Sequence, residues 1–418
     1  MAEERIDTLV VGAGQAGLAM SEHLVRLGVP HLVLERGRIA ERWRSERWDS
    51  LVANGPAWHD RFPTRTFDMA PDAFAGRDDI ASYLEGVALA NASPVRCGVD
   101  VRRVRRSGGG FRAETSEGAI AARRVVAATG PFQRPVIPPV VPPEAGPVQV
   151  HSSAYRNPAG LPEGAVLVVG SGSSGAQIAE ELMRAGRRVF LSVGPHERPP
   201  RRYRGRDFCW WLRELGHWDA ATPAPGTAHV TIAVSGAEGG RTVDFRRLAE
   251  EGVTLLGMAE GFADGVLRLA PDLARHVRAG DESHLALLRE ADSHVEARGL
   301  DLPPEPEAHR IGPDPACLSD PILSLDLAAE RVGSIVWATG YALDFGWLDL
   351  DAFDADGRPV HDCGVSRVPG LYFLGLPWLT MRGSSFIWGV WRDAEALARH
   401  VAARRSKAAR PTPERTPS

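Results

Sequence analysis

Two glycine-spaced turns carry the clearest chemical signal in the chain. The apolar run Ile6-Asp-Thr-Leu-Val-Val11 passes directly into Gly12-Ala-Gly-Gln-Ala-Gly17, and an apolar helical stretch follows as far as Gly28. Strand, turn and helix in that order make a cradle for a pyrophosphate. Gly12 permits the tight turn, Gly14 lets the backbone approach the phosphates, and Gly17 lets the helix lie close to the strand. The helix N-terminus adds N–H donors and the positive end of a dipole. The next strand, His31-Leu-Val-Leu34, ends in Glu35, and a carboxylate about twenty residues past the glycines is placed to accept hydrogen bonds from both hydroxyls of a ribose.

The pattern returns as Ala165-Val-Leu-Val-Val169, then Gly170-Ser171-Gly172-Ser173-Ser174-Gly175, a helix over 176–185 stopped by Gly186, and the strand 188–193. No acid ends this second strand. Arg198, Arg201, Arg202 and Arg204 follow instead, and arginines in place of the acid suit a 2′-phosphate. NADPH is therefore expected over NADH. The alternative reading of the arginines is a solvated loop, or one that anchors a neighbouring domain.

The elements that must position these cradles can also be read. Arg124-Val-Val-Ala-Ala-Thr129-Gly130 and Ile335-Val-Trp-Ala-Thr339-Gly340-Tyr341 are near-copies, each an apolar strand ending where a glycine lets the chain leave a sheet. The stretch from Pro131 through Pro162 contains nine prolines and reads as a semi-rigid crossover between domains. The expected class is α/β, with two Rossmann-like dinucleotide-binding domains, the second inserted into the first. The boundaries read as 1–158 and 316–404 for the split first domain and 159–315 for the insert with its lid loops. A buried strand, Gly370-Leu-Tyr-Phe-Leu-Gly375, and a helical segment from Ser384 to Arg404 close the chain, and residues 405–418 read as a disordered tail.

The 418 residues carry 49 Lys+Arg against 53 Asp+Glu, a formal charge of -4. With no long basic block, a nucleic-acid partner is not expected. The charged start and the absence of an 18-residue apolar run predict neither a leader nor a membrane span, so a cytoplasmic location is expected. Cys97, Cys209, Cys317 and Cys363 are widely separated. They support no disulfide scaffold, metal centre or redox dithiol.

Together the two cradles, Glu35, the paired Ala-Thr-Gly strand ends and the closing strand and helix resemble the two-dinucleotide-binding-domain flavoproteins, and within them the flavin-containing (class B) monooxygenases. The resemblance spans roughly residues 5–400. It implies FAD in the first cradle, with Gly12, Gly14, Gln15 and Gly17 on the pyrophosphate, Glu35 on the ribose, Arg36 and Thr129 as further contacts, and Trp43 beside the flavin. It implies NADPH on Gly170, Ser171, Gly172, Ser173, Ser174 and Gly175, with Arg198 and Arg201. The closing helix would point its positive end at the flavin, or else simply pack.

This chain departs from the family fingerprint F-x-G-x-x-x-H-x-x-x-Y. His151 and Tyr155 match its spacing, while Ala145 and Pro147 stand at the Phe and Gly positions. His151 is read as an interdomain structural residue rather than an acid or base. Leu51-Val-Ala-Asn54-Gly-Pro56 loosely matches the stretch in which these enzymes hold an amide over the flavin, so Asn54 is either catalytic or a turn residue. Of the 11 Trp, most are expected in the core and some in a substrate pocket.

The implied chemistry is reduction of FAD by NADPH, formation of a C4a-hydroperoxyflavin with O2, and oxygen transfer to a nucleophilic N or S of a small organic substrate. Baeyer–Villiger insertion is less favoured. The alternatives are an NADPH-dependent flavin reductase or oxidase serving a quinone, a redox protein or O2, and a nucleotide-sensing protein with little turnover. The sequence does not encode substrate identity or oligomeric state, and a homodimer is one arrangement it allows.

Overall fold

The structure is a computed structural model that describes residues 3–223 and 231–408. Each cradle belongs to its own sheet. In the first, Glu4–Val11 pairs in parallel with His31–Glu35 on one side and with Gly118–Ala127 on the other. Val95–Cys97 extends one edge in parallel, and an antiparallel meander of Val101–Ser107, Gly110–Thr115 and Gly118–Ala127 forms the other. The late strand Leu371–Phe373 returns to lie parallel to Val125, Val126 and Ala127, so the first domain is built from both ends of the chain.

The second sheet is wholly parallel, in the order Thr254–Leu256, Val189–Ser192, Ala165–Val169, Val332–Trp337, Val148–His151. Its central strand Ala-Val-Leu-Val-Val is buried at every position, as expected for a strand covered on both faces. Each such aliphatic side chain removed from water contributes about 1.5–3 kcal/mol.

This topology moves the expected domain boundaries. Val148–His151 and Val332–Trp337, assigned from sequence to the first domain, are strands of the second sheet, which therefore reaches from Val148 to Trp337. An apolar strand advertises burial but not which sheet it joins. The two chain crossings between domains are tied together: Arg134–Pro135 pairs antiparallel with Tyr341–Ala342, so the proline-rich crossover is ordered.

The helix Gln15–Arg26 packs against the closing helix Ile387–Ala408, with Leu18, Val390, Ala394 and Phe373 in one core cluster. The closing helix runs past the expected start of the tail at 405. Residues 409–418 of that predicted tail lie outside the described residues. No helix among those described is long and apolar enough to cross a membrane.

Candidate active site

The first cradle opens into a cavity of about 730 Å³, within the range that holds an organic ligand. Gly12, Gly14, Gln15, Glu35, Arg36, Trp43 and Thr129, all expected there, line it. Gly12 adopts φ +106°, and a Cβ on it would stand 2.7 Å from the Ala128 carbonyl oxygen. A Cβ on Gly17 would lie 1.8 Å from the Gly12 carbonyl oxygen, which is why the helix can seat only on glycine. Gly14 has open space where a side chain would be, so its backbone is free to meet a phosphate.

Glu35 is oriented by the backbone. Its Oε2 accepts from Ala13 N at 2.8 Å and its Oε1 from Gly37 N at 2.9 Å. Each oxygen keeps a second lone pair, enough for a ribose diol. Gln15 joins distant parts of the cavity wall: its Nε2 donates to the Ser385 carbonyl at 2.9 Å, and its Oε1 accepts from Trp43 Nε1 at 3.4 Å. Ser385 lies two residues before the closing helix and lines the cavity, so that helix does start at the site.

Arg47 also lines the cavity, held 5.5 Å from the Trp43 ring and 5.2 Å from the Phe132 ring. Burial lowers the pKa of its guanidinium below the usual arginine value. Sequence reading passed over it because Arg44-Ser-Glu-Arg47 looks like a solvated charge run. The only available signal was its place one helical turn after Trp43.

The second cradle repeats the backbone of the first. Gly170 has φ +108°, and its Cβ would stand 2.5 Å from the Ala338 carbonyl oxygen; Gly175 would meet the Gly170 carbonyl at 1.8 Å. Ser171 Oγ donates to the Gly194 carbonyl and accepts from Gly194 N, both at 3.0 Å, closing the loop onto the end of the neighbouring strand. This cradle is partly covered. The Thr231 methyl would lie 2.3 Å from a Cβ on Gly172, and Ser173 Oγ donates to the Ile232 carbonyl at 2.8 Å. Thr231 therefore packs directly against the second glycine of this cradle.

The arginines expected at the second ribose edge are elsewhere engaged. Arg198 is buried and donates through Nε and Nη2 to Asp281 Oδ1 at 2.9 and 2.6 Å. Arg201 is equally buried, paired with Asp207, donating to the Asn54 carbonyl at 2.6 Å and lying over the Phe74 and Phe208 rings. Both side chains tie separate segments together inside the fold, as in the anchoring reading of these arginines. Of the four arginines, Arg202 and Arg204 remain nearer the surface, and Arg204 is bonded to Asp292.

Asn54 does not line the cavity. Its Oδ1 accepts from Gln177 Nε2 at 2.9 Å, and Gln177, on the second cradle helix, also donates to the Val234 carbonyl at 2.7 Å. The amide thus ties the 51–56 stretch to the helix of the second cradle. His151 is structural: Ser153 N donates to its Nδ1, so its Nε2 carries the proton that goes to the Gly340 carbonyl at 2.9 Å. Burial keeps its pKa below the ordinary histidine value. The Tyr155 hydroxyl donates to Glu181 Oε2 at 2.7 Å, and burial raises its pKa.

Two Rossmann-like units, one open pyrophosphate cradle with its ribose acid, and a second cradle behind it define an oxidoreductase of the two-dinucleotide-binding-domain class. The model of the pyridine nucleotide-disulphide oxidoreductase family matches residues 9–211. The CzcO-like oxidoreductase of Geobacillus kaustophilus is 32% identical over 401 residues, covering 95% of this chain and 98% of that protein. The chain belongs to the family of CzcO-like oxidoreductases. Its fold is that of the flavin monooxygenases: a flavin-containing monooxygenase from Stenotrophomonas maltophilia superposes with a TM-score of 0.66 at 21% identity, covering 96% of this chain and 99% of that one. OTEMO, solved as a complex with FAD and NADP, gives a TM-score of 0.56 at 16% identity over 96% of this chain and 86% of its own.

Proposed function

We propose that this chain is an FAD- and NADPH-dependent monooxygenase that transfers one atom of O2 to a nucleophilic nitrogen or sulfur of a small organic molecule. The observation that carries the reading is the first cavity: an open pyrophosphate cradle, a ribose acid held by two N–H groups, and an aromatic and cationic wall continuous with the closing helix. The four cysteines lie outside the cavity lining, which disfavours a dithiol reductase.

Bound flavin supplies the electron transfer and the oxygen activation. The protein does the rest. Gly12, Gly14 and the helix N-terminus hold the pyrophosphate, and Glu35 with Arg36 fixes the adenosine end. Trp43 and Gln15 shape the wall beside the flavin, and Ser385 with the helix behind it offers a positive dipole end to charge that accumulates on reduction. Arg47 adds a fixed cation. The Gly170–Gly175 turn of the second cradle would hold the NADPH pyrophosphate, and Gln177 of the helix that follows it holds the Asn54 amide. Overall, substrate, O2, NADPH and a proton give oxygenated substrate, water and NADP⁺.

The test is a reaction of the FAD-loaded enzyme with NADPH and ¹⁸O₂, using thioanisole and N,N-dimethylaniline. A sulfoxide or N-oxide carrying one ¹⁸O, with one NADPH consumed per product, is expected. NADPH oxidation matched by hydrogen peroxide or quinone reduction, with no labelled product, would establish the reductase instead. Failure to bind FAD would overturn both.

A further inference from the structure

The arginines that line the cofactor cavity are not equivalent. Arg36 is exposed, Arg42 lies 3.2 Å from the Glu46 carboxylate, and the exposed Arg102 lies 3.9 Å from Asp100. Arg47 is withdrawn from solvent and makes no ion pair with a carboxylate among the described residues. The groups that act on its charge are Tyr341, Glu46 and Arg42, and the Glu46 carboxylate is already engaged by Arg42.

Its position is fixed all the same. Nη1 donates to the Glu46 carbonyl at 2.9 Å, and the guanidinium lies 5.5 Å from the Trp43 ring and 5.2 Å from the Phe132 ring. Trp43 is tied through Gln15 to the Ser385 carbonyl. Glu35 marks the adenosine end of the cavity and the Gly12–Gly17 turn takes the pyrophosphate, which leaves the wall of Trp43, Arg47 and Phe132 for the flavin ring. A desolvated cation without a counterion gains when negative charge arrives beside it. Of the parts of FAD, the pyrophosphate has a constant charge and the ring does not. A hydride carries two electrons and one proton, so a neutral oxidised ring that accepts one becomes an anion, while the nicotinamide that gives it up becomes a cation.

We propose that Arg47 sets the reduction potential of the bound FAD, its uncompensated charge stabilising the ring in the anionic reduced form. Trp43 and Phe132 are positioning residues that hold the guanidinium in the wall. The closing helix contributes a partial charge of about half a unit at its N-terminus, and Arg47 contributes a whole one. The inference rests on FAD in the first cradle and is independent of which acceptor takes the electrons.

The test is the two-electron midpoint potential of the FAD-loaded protein, measured anaerobically against a reference dye for wild type, Arg47→Met and Arg47→Lys. We expect Arg47→Met to favour oxidised over reduced flavin at least about tenfold more than wild type does, a fall of about 30 mV for a two-electron couple, and Arg47→Lys to recover most of it. Loss of packing alone weakens oxidised and reduced FAD alike and leaves the potential where it was. Wild type supplies a second reading: reduction to the anion takes up one proton, so its potential should change by about 30 mV per pH unit, and should keep that slope in the acidic range where free FAD takes up two protons. Should Arg47→Met fail to fold or to hold FAD, judged by circular dichroism and flavin absorbance, Arg47→Gln removes the charge and keeps a donor for the Glu46 carbonyl. An unchanged potential in a folded, FAD-bound neutral variant, an Arg47→Lys potential as low as that of Arg47→Met, or a two-proton slope in wild type would overturn the proposal. A lowered potential in Arg47→Met alongside a wild type that transfers no ¹⁸O would leave this inference standing and defeat the oxygenase reading.

Discussion

Replacing Arg201 by alanine separates a structural from a cofactor role more sharply than any other single change. Its side chain is 2% exposed and that of Asp207 8%, so the substitution leaves a buried carboxylate without its cation. It also strips the Asn54 carbonyl of its donor and removes the guanidinium 4.6 Å from the Phe74 ring and 4.5 Å from the Phe208 ring. Breaking a buried pair from one side costs about 3–5 kcal/mol, and the added losses place Arg201→Ala at the upper end. Arg198→Ala should sit at the lower end, because Asp281 keeps Arg246 at 2.8 Å. Thermal unfolding of the FAD-loaded protein should fall by roughly 10 °C for Arg201→Ala and less for Arg198→Ala. Titration with NADPH and NADH should show both weakened together in any folded fraction. A variant with wild-type melting that loses NADPH selectively, by about tenfold or more in the Kd ratio, would refute this reasoning and restore the 2′-phosphate assignment.

Three further outcomes follow from the same geometry. Gly17→Ala puts a methyl 1.8 Å from the Gly12 carbonyl oxygen and should yield protein without flavin absorbance at 450 nm; a yellow Gly17→Ala variant would contradict the cradle assignment. Glu35→Ala removes an acceptor for the ribose and should weaken FAD by about 10- to 100-fold, since hydrogen bonds to charged groups contribute about 1.5–3 kcal/mol each, as measured by equilibrium dialysis. Burial depresses His196 from 6.5 to about 4. The folded state therefore resists a proton that the unfolded chain accepts. Its contribution is complete above pH 6.5 and falls as pH drops toward 4, by up to about 1.4 kcal/mol per pH unit. Denaturant midpoints across that window should be flatter for His196→Phe, and identical slopes would exclude His196 as a source.

The cradles were legible because their information is local: in the first, three glycines, a strand before and a helix after all lie within residues 4–26, and backbone geometry follows from them. The ribose acid was legible for the same reason. What escaped was everything set by partners far along the chain. Arg198 reads as a surface cation until Asp281, 83 residues away, is folded onto it. Arg47 and Ser385 reach the cavity from opposite ends of the sequence. Val332–Trp337 looks like any apolar strand until its pairing with Ala165–Val169 assigns it to the second sheet.

The contact between each leading cradle glycine and an alanine carbonyl also bears on how this protein can change. Gly12 and Gly170 are hemmed in by main-chain oxygens, those of Ala128 and Ala338. A clash with a side chain can be relieved by trimming that side chain elsewhere, but every amino acid has the same carbonyl. No second-site substitution at 128 or 338 can make room at 12 or 170. A genetic search for suppressors of Gly12→Ala should therefore return reversion to glycine, and drift that reshapes the loops around both cradles leaves these two positions standing.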